Sequence, residues 1–204
     1  VSHPEVLAPL TEPYAVGDSI ENRVTGEVGI LLKAPWEGDD SSLEAELHVK
    51  PDGAVAGEHV HRHFDERFTV EAGRIGFRLD GEESEAGPGD VVEIPRGRWH
   101  DWWNASDEEG AVAKASVSDG GRFVLMLENL FGLANDGHTN AKGMPDPLQL
   151  TMIATEFRDV IIFKRPPAAL QTVIFGVMRP VAVGRGYRAT YPQYSRSLLR
   201  TSAR

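Results

Sequence analysis

Three histidines and a glutamate stand at spacings that let them meet around one ion. His59 and His61 are alternate residues, Glu66 follows after four intervening positions, and His100 lies further along the chain. In a strand, residues i and i+2 share a face, so His59 and His61 project together as a clamp. Glu66 sits across a short turn or bulge around Phe64-Asp65, where the chain can fold back and aim a carboxylate at the same point. His100 must come from a different strand, and Gly97, between Pro95 and His100, suits the tight turn that would deliver it. The four form a nitrogen and oxygen set without sulfur, suited to one divalent iron, manganese, nickel, cobalt, copper or zinc ion, with iron or manganese preferred. In an octahedral field two positions stay open, for O2 beside an oxygen-bearing substrate or for a bidentate substrate alone. Glu66 is also the candidate catalytic group, able to shuttle a proton if it leaves the metal.

Other residues are candidates for shaping a pocket. Trp99, Trp102 and Trp103 surround His100, and by alternation Trp102 and Asn104 share its face. With Phe68 and Phe77 these two make up the expected substrate contacts, although small barrels are filled with side chains and the aromatics would serve as filling equally well. Arg96 and Arg98 flank Gly97 and would suit an anionic substrate, against the commoner reading of surface arginines. His63 alternates with His61 but lies at a turn; His48 reads as solvent-facing, His138 as a loop residue and His3 as part of an end. No Ser-His-Asp arrangement or phosphate loop offers other chemistry.

The elements that must position the site are short. Gly 21 and Pro 13 imply many turns, and the segments between them read as strands. The candidates are 27–33, 43–50, 58–63, 67–72, 75–79, 82–86, 91–94, 99–104 and 111–117. Asp80-Gly81 is a two-residue hairpin signal, and hairpins without crossover helices indicate an antiparallel sheet closing into a barrel or jelly roll. After Ser118 the period changes to that of helices: one from a Ser118 or Asp119 cap to about residue 135, a second over 147–163 and a third over about 167–183. The third is apolar nearly all round and is expected to be buried against the barrel or in a dimer interface. The expected organisation is an extended arm (1–22), a mainly β barrel (23–118) and a helical extension (119–204).

Composition narrows the partners. The 204 residues carry a net charge of −10, which argues against general nucleic-acid binding. From Phe157 onward nine basic residues face a single acid, so an acidic body carries a basic tail, read mainly as docking on its own barrel or a sister subunit. There is no cysteine, which removes disulfides and thiolate chemistry. No signal peptide is visible in VSHPEVLAPL, and the apolar run 168–183 is too short and broken to span a bilayer. The expected location is cytoplasmic.

The four ligand candidates belong to a larger pattern. Gly53, His59, His61, Glu66 and Gly73 read G-x5-H-x-H-x4-E-x6-G, and Gly89, Pro95, Gly97, His100 and Asn104 read G-x5-P-x-G-x2-H-x3-N. Over Leu43 to Ser118 the chain closely resembles the cupins. The resemblance implies a six-to-eight-strand jelly-roll barrel holding a metal inside, on the residues matching His59, His61, Glu66 and His100. It leaves the reaction open, because cupins include dioxygenases, isomerases, decarboxylases, binding domains and storage proteins. The reading preferred here is a metal-dependent, dioxygenase-type oxidoreductase acting on a small organic molecule, as a homodimer. Its rivals are a non-oxidative isomerase or cyclase and a small-molecule sensor.

Overall fold

The computed structural model describes residues 3–37, 40–55 and 57–200; Arg204 of the basic tail lies outside them. The runs punctuated by glycine, proline and aspartate form β1 (Ser19–Asn22), β2 (Glu27–Lys33), β3 (Leu43–Val49), β4 (His59–Val60), β5 (Glu66–Ala72), β6 (Ile75–Leu79), β7 (Glu82–Ala86), β8 (Val91–Ile94), β9 (His100–Asn104) and β10 (Ala111–Val117). Helices α1 (Gly121–Asn135), α2 (Pro147–Glu156) and α3 (Ala168–Gly184) follow, with β11 (Ile162–Phe163) between the last two. One sheet has the order β1-β2-β3-β10-β5-β8 and the other β11-β4-β9-β6-β7, with antiparallel pairing throughout. This is the mainly β, antiparallel jelly-roll barrel with a helical extension that the sequence predicts.

Local chemistry explains the best-matched elements. Asp80 and Gly81 both take positive φ, 51° and 93°, as a two-residue hairpin turn requires, and they join β6 to β7 in full register. In β3 the alternation places Leu43 and Val49 in the core, with their neighbours less buried.

Three expectations need correction. The strand expected over 58–63 shrinks to His59–Val60, so His61 is presented from an irregular segment and not from a regular ladder. The first helix has no side-chain cap, its N-cap being Gly120, because the Ser118 hydroxyl instead accepts from the Asp65 N–H at 3.0 Å. The second helix stops at Glu156 and not at Phe163. Its Asp146 cap accepts from Leu148 N and Gln149 N as a good start should. The β-branched run that follows is drawn into β11, where Ile162 pairs with Val60 and Phe163 with His59.

The hydrophobic core has two main parts. One fills the barrel with Val49, Phe68, Val70, Ile75, Phe77, Ile94, Trp102 and Ala113. The other joins the barrel's Leu31, Leu43 and Val117 to Val124, Met126 and Leu133 of α1 and to Ile153, Phe157 and Tyr191. The extension is therefore packed into the core. Part of the basic tail folds back as expected: Arg196 pairs with Asp18 at 2.9 Å and lies 4.1 Å over the Tyr14 ring, while Lys164 pairs with Glu58 at 2.5 Å.

The third helix does not meet the expectation of burial within this chain. Among its residues only Gln171 and Ala182 are buried, and Leu170, Val173, Val177 and Val181 form an exposed apolar stripe. No helix of the described residues is long and apolar enough to cross a membrane.

Candidate metal centre and its cavity

His59 in β4 pairs directly with His100 in β9, which brings two imidazoles from the two motifs side by side, their ring centroids 4.3 Å apart. His61 follows at the end of the same segment, with its ring 4.9 Å from His59 and 5.3 Å from His100. Glu66 opens β5 on the opposite sheet and faces inward. All four are buried, and one ligand atom from each lies within 4.8 Å of all the others. Ligands about 2.1 Å from a common ion lie roughly 3 to 4.2 Å from one another, so a slight contraction would close the set. The two motifs are also tied together by backbone. The Gly97 N–H donates to the His61 carbonyl at 2.7 Å, and its φ of +84° is one that only glycine adopts without strain.

The hydrogen bonds decide which nitrogen of each ring is available. His59 Nδ1 faces the Gly57 carbonyl at 2.9 Å, His61 Nδ1 the Val160 carbonyl at 2.6 Å and His100 Nδ1 the Arg98 carbonyl at 3.0 Å. A carbonyl only accepts, so each Nδ1 carries the proton and donates, leaving Nε2 as the ligand atom. His61 Nε2, His100 Nε2 and Glu66 Oε2 are buried without a hydrogen-bond partner. His100 Nε2 and Glu66 Oε2 are 2.9 Å apart, close enough for an ion pair but not aligned as a hydrogen bond. Orphaned lone pairs this deep are costly, and one cation satisfies all of them. The residues present fit a metal ion.

The titration behaviour of the chain alone agrees. Burial, assisted by His100 and His61, drives His59 down to about 3, and burial likewise lowers His61. Burial would raise Glu66, but His61, His100 and His59 outweigh it and hold the carboxyl down at about 2. Burial would lower His100, yet the neighbouring Glu66 carboxylate raises it. The cluster thus keeps Glu66 ionised and His59 and His61 neutral, the forms in which these groups bind a metal.

Residues 45–115 match the family model described as Cupin domain. That segment of the chain, which holds all four candidate ligands, matches a cupin domain. No curated protein matches it. Among solved structures it is similar to KdgF from Halomonas sp., at 17% identity over 50% of this chain and 86% of that one, with a TM-score of 0.42. The Cnp3 cupin domain of Schizosaccharomyces pombe is similar at 12% identity over 50% and 68%, TM-score 0.42. A cupin sugar phosphate isomerase from Silicibacter pomeroyi is similar at 19% identity over 56% and 75%, TM-score 0.42. Likenesses this distant carry no argument about activity.

The four-residue cluster borders a cavity of about 160 Å³. Small inward residues leave the space open: Leu31, Ala45, Ala115 and Phe68 form one cross-strand row, and Gly29 stands in the next. Phe68 and Trp102 reach the wall with His59 and Glu66, and Phe123, Met126 and Leu130 of α1 close it from above. Phe77 and Asn104 do not line it. Phe77 packs beside Phe68, 5.5 Å between centroids, inside the filled part of the barrel. The Asn104 amide is spent on tying its own loop to the end of β3, donating to the Val49, Lys50 and Glu109 carbonyls and accepting from Ser106 N–H. Alternation assigned the correct face to both residues but not their depth along the barrel.

The remaining candidates are placed as follows. Arg96 forms a two-point pair with Asp65, 2.7 Å at its closest, and Arg98 pairs with Asp80, so both guanidinium groups are engaged in holding turns. His63 is exposed outside the cluster, and His48 pairs at the surface with Glu46. His3 packs edge-on against Tyr187. What the spacing of motifs misses is the extension's share in the site. The Val160 carbonyl orients His61, Phe123 lies edge-on to the same ring at 5.6 Å between centroids, and β11 pairs with the strand that carries His59.

Proposed function

We propose that this cupin is a metal-dependent enzyme, a dioxygenase-type oxidoreductase acting on a small, largely apolar organic molecule. The observation that carries the reading is the buried His59, His61, Glu66 and His100 cluster, with its orphaned donor atoms, set into the wall of a hydrocarbon-lined cavity. These four residues would hold one divalent ion, iron or manganese in preference. When bound, the ion supplies Lewis acidity and, if redox-active, electron transfer with O2. The chain's own residues do the rest. The three backbone carbonyls keep the Nε2 atoms aimed inward, Phe68 and Trp102 orient the hydrocarbon part of the substrate, and α1 excludes water. Glu66, held as a carboxylate, is the group able to take up a proton. Isomerisation of a polyhydroxylated substrate needs polar side chains around the reacting carbons, and apart from Asn22, Thr25, Glu27, Ser116 and the two ligands the cavity is lined by hydrocarbon and glycine.

The test is to reconstitute the protein with Fe(II) or Mn(II) and follow O2 consumption with a panel of small phenols, enols and short-chain acids. Metal-dependent O2 uptake with product formation is expected. Turnover of a panel compound under strict exclusion of O2 would replace this reading with a non-oxidative isomerase or cyclase, and tight binding without turnover would replace it with a sensor. The proposal places the enzyme in the cytoplasm, in keeping with the lack of cysteine.

We also propose that it works as a homodimer through α3. Leu170, Val173, Val177 and Val181 repeat at three- and four-residue spacing on one exposed face, the seam by which two helices pack. The exposed valines reach 63% at Val173 and 70% at Val177, and a second copy of the same stripe is self-complementary about a two-fold axis. Sedimentation of the wild type should give a dimer, and Val173→Glu with Val177→Glu should give a monomer that retains metal. A wild-type monomer would remove the dimer proposal.

A further inference from the structure

Glu27 is a buried carboxyl for which the metal chemistry has no use. It opens β2, is 7% exposed, and its carboxylate accepts from the Thr25 hydroxyl. Its side chain lines the same cavity as His59 and Glu66. The strand register fixes how the two acids are related. Glu27 pairs with Val49 of β3, while Glu66 pairs with Val117, which pairs with Leu43 at the other end of β3. From Leu43 to Val49 the strand advances about 20 Å at ~3.3 Å per residue. Between the two rows the cavity is walled by Leu31, Ala45, Leu47 and Phe68. It is therefore a narrow hydrocarbon space with the metal cluster at one end and a carboxyl at the other.

The far end is closed over Glu27. Gly143, at φ +73° in the loop between α1 and α2, lies so near Thr25 that a Cβ there would meet the Thr25 methyl at 2.8 Å. The Asn22 side-chain oxygen accepts from the Val24 and Thr25 amides. Burial raises the Glu27 carboxyl to about 7, with Thr25 pulling the other way, so the group reaches neutrality easily. A neutral carboxyl both donates and accepts, which matches a hydroxyl. A charged end group would have to shed its water along a hydrocarbon wall that offers no compensation.

We infer that Glu27 is the specificity-determining residue of the cavity, selecting a slender, mainly hydrocarbon substrate that carries an uncharged hydroxyl at the end remote from the metal. This rests on the reading of the four-residue cluster as a metal centre that anchors the substrate's other end.

The probes are straight-chain alkanoates of about four to ten carbons, their ω-hydroxy analogues and the matching ω-amino acids, titrated calorimetrically into Zn(II)-loaded protein, which is redox-silent. At the best-fitting length the ω-hydroxy acid should bind about tenfold more tightly than the plain alkanoate, the worth of one buried hydrogen bond. Glu27→Leu should erase that preference, and Glu27→Gln should keep most of it. Equal binding of hydroxylated and plain acids to the wild type, a preference that survives in Glu27→Leu, or tighter binding of the ω-amino acid would overturn the inference. The wild-type comparison needs no variant to fold. Metal content measured on the same samples separates the two readings. A protein that takes up no metal removes the proposed function, whereas a metal-loaded protein indifferent to the hydroxyl removes only the role of Glu27.

Discussion

A His61→Ala protein is expected to lose metal affinity by more than about 100-fold and to emerge from purification with well under one ion per chain. Loss of residues that merely orient ligands typically costs 10- to 100-fold, and His61 is itself a ligand in this assignment. Its ring is fixed by the Val160 carbonyl at 2.6 Å and by stacking on Phe64 at 4.4 Å between centroids, so no neighbouring side chain can swing into its place. The variant should also be less stable without metal, by about 1–3 kcal/mol, because the Val160 carbonyl loses its donor in a buried setting. Metal binding itself separates the two effects. Excess ion stabilises the wild type by about 2.7 kcal/mol at a hundredfold excess over the dissociation constant, and this gain should vanish in the variant. Elemental analysis with thermal melts in the presence and absence of metal makes the measurement. Full metal occupancy in His61→Ala would overturn the ligand assignment.

The second large effect is expected from a change that touches no ligand. Ala45→Leu would push a branched side chain into the cavity from the row it shares with Leu31, Ala115 and Phe68. Filling about half of a void of about 160 Å³ recovers up to about 2 kcal/mol at ~24 cal/mol per Å³, so the fold should gain stability. Metal content should stay at the wild-type level. Turnover, or binding of any ligand that spans the cavity, should fall by at least about 100-fold, because the new side chain obstructs its middle. A more stable, metal-replete and inactive protein would separate occlusion of the cavity from a folding defect or a loss of metal. Wild-type turnover in Ala45→Leu would show that the substrate binds elsewhere.

Much of the barrel was legible because its signals are local. β2, β6, β7, β8 and β10 lie where turn residues and alternation place them, and the Asp80-Gly81 turn needs only its own two dihedral angles. The segment around His61 was less legible. Alternation extends a strand through His63, but strand geometry ends at Val60, and the chain turns to place Phe64 under the His61 ring. The end of α2 was misread for a related reason. A helical period continues past Glu156, yet the edge of β4 offers Ile162–Phe163 a better partner than their own helix would. For α3 the sequence left two expectations, burial against the barrel or a subunit interface, and its exposed stripe removes the first.

The sequence by itself determined the cupin motif, the barrel and the identity of the four candidate ligands, because each follows from side-chain types at spacings of a few residues along strands and turns. Only the tertiary structure decided how the ligands are held and what lies beside them. The Val160 carbonyl that orients His61 is 99 residues away along the chain, and Glu27 shares a cavity with Glu66 through the register of β2, β3, β10 and β5. Contacts of that kind depend on which segments the folded core brings together, and a local pattern carries no record of them.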